Sequence, residues 1–348
     1  MTYAGRSTDV ASQHGSPGIG LALGGGLARG FSHIGALRAL NRHGIYPTII
    51  AGTSIGAVVG GAYLAGRLNE MEDWARSLNR FRVFSYLDFR VRSAGMIAGN
   101  KLVKTMEEYF GDMQIEDLPH PFITISADLL TGHEVWLRRG NLIEAMRASF
   151  ALPGVFPPVE RNHRFLVDGA LINPVPVSVC QALGARMTIA VDLHADIIGK
   201  AAAKPDQKYQ TITGFDIFNE DDVPAEAQKD FKSSSMMRRL FRREETEAPS
   251  LFGVMVSALG IIQDRITRSR LAGDPPDIHV KPAIGHIGML EFERADELIA
   301  LGEEATEKMI PDIKAAIEVF IPPAMRPDVS MDVPSQEETP APKAPRDS

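Results

Sequence analysis

The sequence predicts an α/β protein whose strands end in turns that lead directly into helices. Three observations carry this. Apolar runs of strand length recur at residues 18–23, 48–51, 121–128 and 187–192. Apolar residues at helical spacing follow, with Phe31, Ile34, Leu37 and Leu40 on one stripe. Glycine-rich turns punctuate the change of period, after Leu23 and after Ala51.

Composition bounds the function. The chain has 348 residues, 44% hydrophobic and 23% charged, ordinary shares for a globular protein and length for one large or two ordinary domains. A net charge of −7 supplies no basic field for nucleic acid. The one cysteine, Cys180, excludes an internal disulfide framework, suits a reducing compartment, and sits in an apolar helical stretch where packing is its expected job. Residues 1–17 are small and polar, with no basic segment ahead of an apolar core. No apolar run reaches the length that spans a bilayer. The expectation is a soluble, cytoplasmic protein, with peripheral contact at the inner face of a membrane left open.

Taken in order, residues 18–23 read as a buried strand, followed by Gly24, Gly25, Gly26, Leu27, Ala28, Arg29 and Gly30. Such a loop between strand and helix presents backbone N–H groups to an anion. A nucleotide phosphate and the oxyanion of an acyl transfer compete for it. The nucleotide fingerprints fit badly: no Gly-Lys-Ser/Thr closes the loop, and Arg29 stands where Gly24-x-Gly26 would require its last glycine. Three consecutive glycines cost backbone entropy that a mere turn does not need. The oxyanion reading is favoured.

The next strand leads into Gly52-Thr53-Ser54-Ile55-Gly56 and then an apolar helix. A serine at the apex of so tight a turn needs small residues two places before and after it, which Gly52 and Gly56 provide. Its hydroxyl is expected to stand exposed above a helix N-terminus that favours developing negative charge. Chance occurrence of the pattern is the plainer alternative. Helices are expected over residues 68–78 and 101–110. Residues 81–97 mix aromatics with Arg82, Arg90 and Arg92 and read as a loop-rich cover. Residues 121–128 and 134–137 pair as a hairpin around Thr131-Gly132-His133, and Asn141 caps a helix through Ala148. A proline-punctuated loop, 149–158, precedes a short strand at 164–167. Asp168-Gly169-Ala170 ends that strand. Active sites of α/β sheets gather at strand carboxyl ends, although these three residues alone are better read as an ordinary turn. A helix at 174–183 and a strand at 187–192 follow.

Residues 200–249 are polar, mixed in charge and without apolar period, and read as a mobile insertion. Within it, residues 236–243 alternate apolar and basic pairs, a pattern suited to an anionic membrane surface. Glu244, Glu245 and Glu247 offset that charge and favour a solvated helix face. Leu251, Met255, Leu259, Ile262 and Ile266 mark a core-packed helix, residues 277–280 a last strand, and 294–317 closing helices. The expected organisation is a disordered segment 1–17, one domain 18–320 and a disordered tail 321–348.

Three strand-end elements thus share one chain: an anion loop, a serine elbow and an Asp-Gly turn. In these stretches, residues 24–30, 52–56 and 168–170, the sequence resembles the patatin-like phospholipases. Residues 148–158 and 173–176 resemble the blocks flanking that family's aspartate, and residues 268–274 resemble its bacterial branch. The resemblance runs from about residue 18 to 317, with the motif-bearing core over about 21–182. It implies a three-layer α/β/α fold with a central, mainly parallel sheet, and hydrolysis of lipid acyl esters without a cofactor. It further implies Ser54 as nucleophile, Asp168 as general base, and amides of Gly25, Gly26 and Leu27 as the oxyanion hole. Gly24, Arg29, Gly30, Gly52, Gly56 and Gly169 support these motifs. Leu27 departs from the glycine that many members carry, which makes the loop less permissive. Arg29 is expected to steady the loop or a lipid phosphate, a surface ion pair being the plain alternative. The residues alone leave the base open. A serine base is usually histidine, and His33 and His163 lie closest to the motifs. A direct aspartate base needs burial to raise its pKa. No cluster has the spacing of metal ligands. An acyltransferase using the same acyl-enzyme and a catalytically idle membrane-surface protein are the rival readings; oligomeric state is not readable.

Overall fold

An eight-stranded sheet forms the centre of the protein in the computed structural model, which describes residues 18–78, 100–196 and 251–323. The expected cover at 81–97, the insertion at 200–249 and segment 1–17 lie outside the described residues, as does all but the start of the 321–348 tail. The strands are β1 (Ile19–Leu23), β2 (Ile49–Thr53), β3 (Phe122–Asp128), β4 (Glu134–Leu137), β5 (Val159–Arg161), β6 (Arg164–Asp168), β7 (Met187–Val191) and β8 (Ile278–Val280). The helices are α1 (Ser32–Arg42), α2 (Ile55–Leu64), α3 (Leu68–Ser77), α4 (Asn100–Phe110), α5 (Leu142–Phe150), α6 (Val177–Ala182), α7 (Leu251–Gly273) and α8 (Ala295–Phe320). β1 pairs in parallel with β2 and β7, β2 with β3, and β7 with β8.

Strand periodicity divides the core into two. Ile19, Leu21 and Leu23 of β1, Ile50, Phe122 and alternate residues of β7 enter the larger core beneath α1, α2 and α5. Ala22, Ile49, Ala51, Ile123, Ile125 and Ala190 enter a smaller one with Val177, Val179 and Cys180 of α6. The result is a three-layer α/β/α arrangement with a mainly parallel sheet. Cys180 is buried and packs against β1 at Gly20. The stripe Phe31, Ile34, Leu37 and Leu40 is fully buried, each side chain contributing about 1.5–3 kcal/mol relative to exposure. α1 and α8 cross where Gly35 meets the Ile299 carbonyl and Gly302 meets the Ser32 carbonyl, contacts that a Cβ would block.

The strands around β3 place the site. β2 pairs with residues 122–125 of β3 and stops, and β6 pairs with residues 126–128. β4 pairs with residues 124–127, so β2 and β6 both occupy the opposite flank of β3. They share that flank and approach each other carboxyl end to carboxyl end. Ser54 follows β2, and Asp168 closes β6.

Several elements differ from the sequence reading. α5 extends through Phe150, so Ser149 is helical rather than part of a loop. β5 is an addition; it pairs with β6 through a turn at Asn162 and His163, both at positive φ, and three residues of mixed polarity carry no alternation to detect. α7 buries Val256, Gln263 and Thr267, while Ile262 is 48% exposed. The helix packs on the 169–172 turn, whose Ile172 carbonyl accepts from Arg270 Nε, and among the described residues only Leu271 near its end reaches the smaller core. The closing helices are one helix, α8, after a short turn at Phe292–Arg294, and Ile321 beyond it is buried. Among the described residues, no helix is long and apolar enough to cross a membrane.

Candidate active site

Ser54 sits between β2 and α2 at φ 57°, ψ −123°, a conformation that costs a non-glycine residue on the order of 1–3 kcal/mol. The surroundings hold it there. Its N–H donates to Ser149 Oγ at 2.9 Å, and Ser149 Oγ donates to the Ile125 carbonyl at 2.6 Å. Its carbonyl accepts from the amides of Ala57 and Val58. A Cβ at Gly52 would meet the Ala57 backbone, and one at Gly56 the Leu23 and Gly24 carbonyls. Ser54 is 4% exposed, so its hydroxyl opens onto a cavity rather than bulk water.

Ser54 Oγ donates to Asp168 Oδ2 at 2.8 Å. The other carboxylate oxygen, Oδ1, accepts from Ala170 N–H at 2.8 Å, which fixes the plane of the group. Burial pushes the Asp168 carboxyl up from 3.8 to about 7, against the opposing hydrogen bonds from Ala170 and Ser54. A base poised near 7 can take a proton and return it. Asp168 does stand at a strand's carboxyl end, but β6 is antiparallel to β3 and reaches the site by running inward.

Neither histidine near the motifs bonds to Ser54. His33 is fully buried with Nε2 2.7 Å from the Gly24 carbonyl. Burial holds its pKa down at about 4. His163 stands exposed in the β5–β6 turn at φ 61°.

The glycine loop is held from several sides. Gly24 N–H donates to Val191 O, Gly25 N–H to Pro174 O and Ala28 N–H to Met289 O. The Gly25 amide is therefore committed and is not an available oxyanion donor, a correction to the expected set. The amides of Gly26 and Leu27 have no protein acceptor among the described residues. Leu27 adopts φ 52°, which explains why glycine would be at ease there. Gly25 itself lies beside Ser54, where a Cβ would stand 3.4 Å from Ser54 Cβ. Arg29 is buried and not in a surface ion pair. Its Nε donates to Ile287 O at 2.8 Å and Nη2 to Gly285 O at 3.3 Å. Burial lowers its pKa to about 10, offset by the nearby Asp196 and Glu291. It ties the loop to the segment before α8. Gly30 admits the Ile55 side chain against the loop, and Gly169 passes beneath the Ile125 carbonyl.

A cavity of about 130 Å³ opens at Ser54 and runs between α2, α3 and α4. Ile55, Val58, Met71, Trp74, Met106, Phe150, Phe156 and Phe292 make its wall almost wholly apolar. Arg67, the cation on that wall, is paired with Glu70 at 2.9 Å. Among the described residues, no group of His, Cys, Asp and Glu side chains could hold a metal ion.

Two supports carry no mark in the sequence as site residues. Ser149 holds the elbow's amide, and Asn173 links the turns: its carbonyl accepts from Thr53 Oγ1 at 2.8 Å, while Nδ2 donates to Glu134. Both fall in the blocks flanking Asp168, but neither has a spacing that reveals its partner.

Comparison with known proteins adds relatives to this geometry. Residues 21–180 match the family model for patatin-like phospholipases. An uncharacterized NTE family protein of Mycobacterium tuberculosis is 34% identical over 322 residues, covering 82% of this chain and 89% of that protein. The neuropathy target esterase of Drosophila melanogaster is 34% identical over 182 residues, 50% of this chain and 13% of its own length. The patatin-like phospholipase domain-containing protein 6 of Mus musculus matches at the same identity and coverage.

Proposed function

The chain belongs to the patatin-like phospholipase family, a family of lipid hydrolases, and from that premise we propose that it cleaves carboxylic esters of lipids through a Ser54–Asp168 dyad and an acyl-enzyme. The observation that carries this reading is the 2.8 Å hydrogen bond to the buried Asp168 carboxylate from Ser54 Oγ, which stands at an apolar cavity. A serine hydroxyl is a weak nucleophile until a base removes its proton during attack. Asp168 Oδ2 takes that proton as Oγ adds to the ester carbonyl. The negative charge on the carbonyl oxygen is met by the Gly26 and Leu27 amides and the N-terminal end of α2. Collapse of the tetrahedral intermediate expels the alcohol or lysolipid, which leaves with the proton held by Asp168. Water then attacks the acyl-enzyme, with Asp168 again accepting the proton; collapse breaks the bond from the acyl carbon to Ser54 Oγ, which regains that proton from Asp168 as the fatty acid departs. The apolar wall suits an acyl chain, whose burial supplies binding at about 25 cal/mol per Å².

Turnover of p-nitrophenyl butyrate by the purified protein, and its loss in a folded Ser54→Ala variant, tests the reading. Unchanged turnover in that variant rejects it. Product analysis with a lysolipid acceptor present separates hydrolysis from acyl transfer: free fatty acid supports hydrolysis, and a newly acylated acceptor supports transfer.

A further inference from the structure

The carbonyl of Gly24 and the amide of Gly25 belong to one peptide unit, and both ends of that unit are held. Its oxygen lies 2.7 Å from His33 Nε2, and its N–H donates to Pro174 O at 3.0 Å. The two contacts approach from different parts of the fold. His33 comes from α1, which packs along α8. Pro174 comes from the loop that follows Asp168, whose Asn173 amide donates to Gly169 O and whose Asn173 carbonyl accepts from Thr53 Oγ1.

The tautomer of His33 follows from its partners. A carbonyl oxygen can only accept, so Nε2 carries the proton. Nδ1 is buried with no hydrogen-bond partner among the described residues. A second proton would therefore be buried without an acceptor, which agrees with a neutral ring. Its one N–H is directed at Gly24, so His33 has no function as the base for Ser54.

We infer that His33 is a positioning residue for the oxyanion donors: it fixes the Gly24–Gly25 peptide so that the next two amides, Gly26 and Leu27, face the oxygen above Ser54. The inference rests on the serine–aspartate reading given above. Gly24 N–H is bound to Val191 O as well, and rotation of the peptide that follows it would turn those amides away. The residues on either side do not resist such rotation, because Gly24 and Gly25 have no Cβ to restrict their dihedrals. The restraint has to come from outside the loop, and the buried imidazole supplies it at the oxygen end while the Pro174 carbonyl holds the N–H end. The role requires an N–H at the position of Nε2 and nothing else of the ring.

Glutamine and asparagine separate this role from packing. The side-chain amide nitrogen of glutamine can occupy the place of the imidazole Nε2, whereas the shorter amide of asparagine falls near the place of Nδ1. The proposal expects His33→Gln to retain kcat within about threefold and His33→Asn to lose roughly 10- to 100-fold in kcat, the range for misoriented donors. KM for p-nitrophenyl butyrate should stay within about twofold in both, while inhibition by an alkyl boronic acid, which becomes tetrahedral on Ser54, should weaken in parallel with kcat for asparagine. Thermal unfolding of both variants checks that they are folded. Equal kcat in the two variants, or a loss in KM alone, overturns the positioning role. A shift of the acid limb of the pH–rate profile in His33→Gln also overturns it, because that would make His33 the titrating base. Failure of a fluorophosphonate to label Ser54 in the wild type rejects the serine–aspartate reading itself, and this inference with it.

Discussion

Two turns at the same edge of the sheet do different jobs with different physics. The elbow after β2 holds a side chain, Ser54, in a strained conformation over five residues. The loop after β1 holds backbone amides over seven. In the elbow the constraint is local: Gly52 and Gly56 are needed because Cβ atoms there would strike the Ala57 backbone and the Leu23 and Gly24 carbonyls. In the loop the constraint is remote. Val191, Pro174, Met289, His33 and Arg29 with its carbonyl partners at 285 and 287 set its shape. Strain fixes the first turn, and hydrogen bonds from distant segments fix the second.

That contrast makes graded predictions. Ser54→Ala removes the proposed nucleophile and should lower kcat/KM for p-nitrophenyl butyrate by at least roughly 10⁴-fold. Retained turnover would mean that the elbow only resembles a nucleophile turn. Asp168→Asn should lose roughly 10³–10⁴-fold, yet it should stabilise the fold. The folded carboxyl titrates near 7 and the unfolded one near 3.8, so burying the charge opposes folding fully above pH 7 and not at all below about 4. The melting temperature of Asp168→Asn should therefore exceed that of the wild type at pH 8 and match it at pH 4. A gain that is equal at both pH values would break this account of the carboxyl.

The loop should answer differently. Arg29→Met leaves the carbonyls of Gly285 and Ile287 without their donor, a loss of about 1–3 kcal/mol in urea unfolding. It should lower kcat about tenfold through the amides, with KM nearly unchanged. A rate loss as large as that of Ser54→Ala would erase the distinction between the two turns. The smallest effect is expected from Ser149→Ala. It removes the acceptor of the Ser54 amide while Gly52 and Gly56 still enforce the elbow, so kcat should fall less than tenfold and stability by about 1–2 kcal/mol. A larger rate loss would show that the elbow also depends on remote support.

The same contrast explains how much of the molecule is legible in its sequence. The five-residue elbow is legible, since steric need at Gly52 and Gly56 is written next to Ser54. Asp168 is legible for a reason that holds only in part: β6 runs opposite to the parallel strands, and its end reaches Ser54 because β2 leaves the flank of β3 vacant after residue 125. No pattern within residues 164–170 announces that geometry. The loop's donors are misread at Gly25, whose amide partner, Pro174, lies in a distant segment of the chain. Arg29 reads equally as a residue that steadies the loop or a lipid phosphate and as a surface ion pair; the sequence does not choose, because its two carbonyl acceptors, at 285 and 287, lie near the far end of the domain. In α7 the apolar period points at residues such as Ile262, while the buried positions are Val256, Gln263 and Thr267. Local sterics leave a signature in sequence, and long-range hydrogen bonds do not.

The central claim is that Ser54 is activated by Asp168 without a histidine, and the pH dependence of Ser54 labelling by a fluorophosphonate tests it most directly. Peptide mapping should find a single adduct on Ser54, formed at a rate that rises through a half-maximum near pH 7. In Asp168→Asn the residual labelling should be slow and should lack that limb. An adduct on another residue, or a limb near pH 7 that persists in Asp168→Asn, would contradict the dyad.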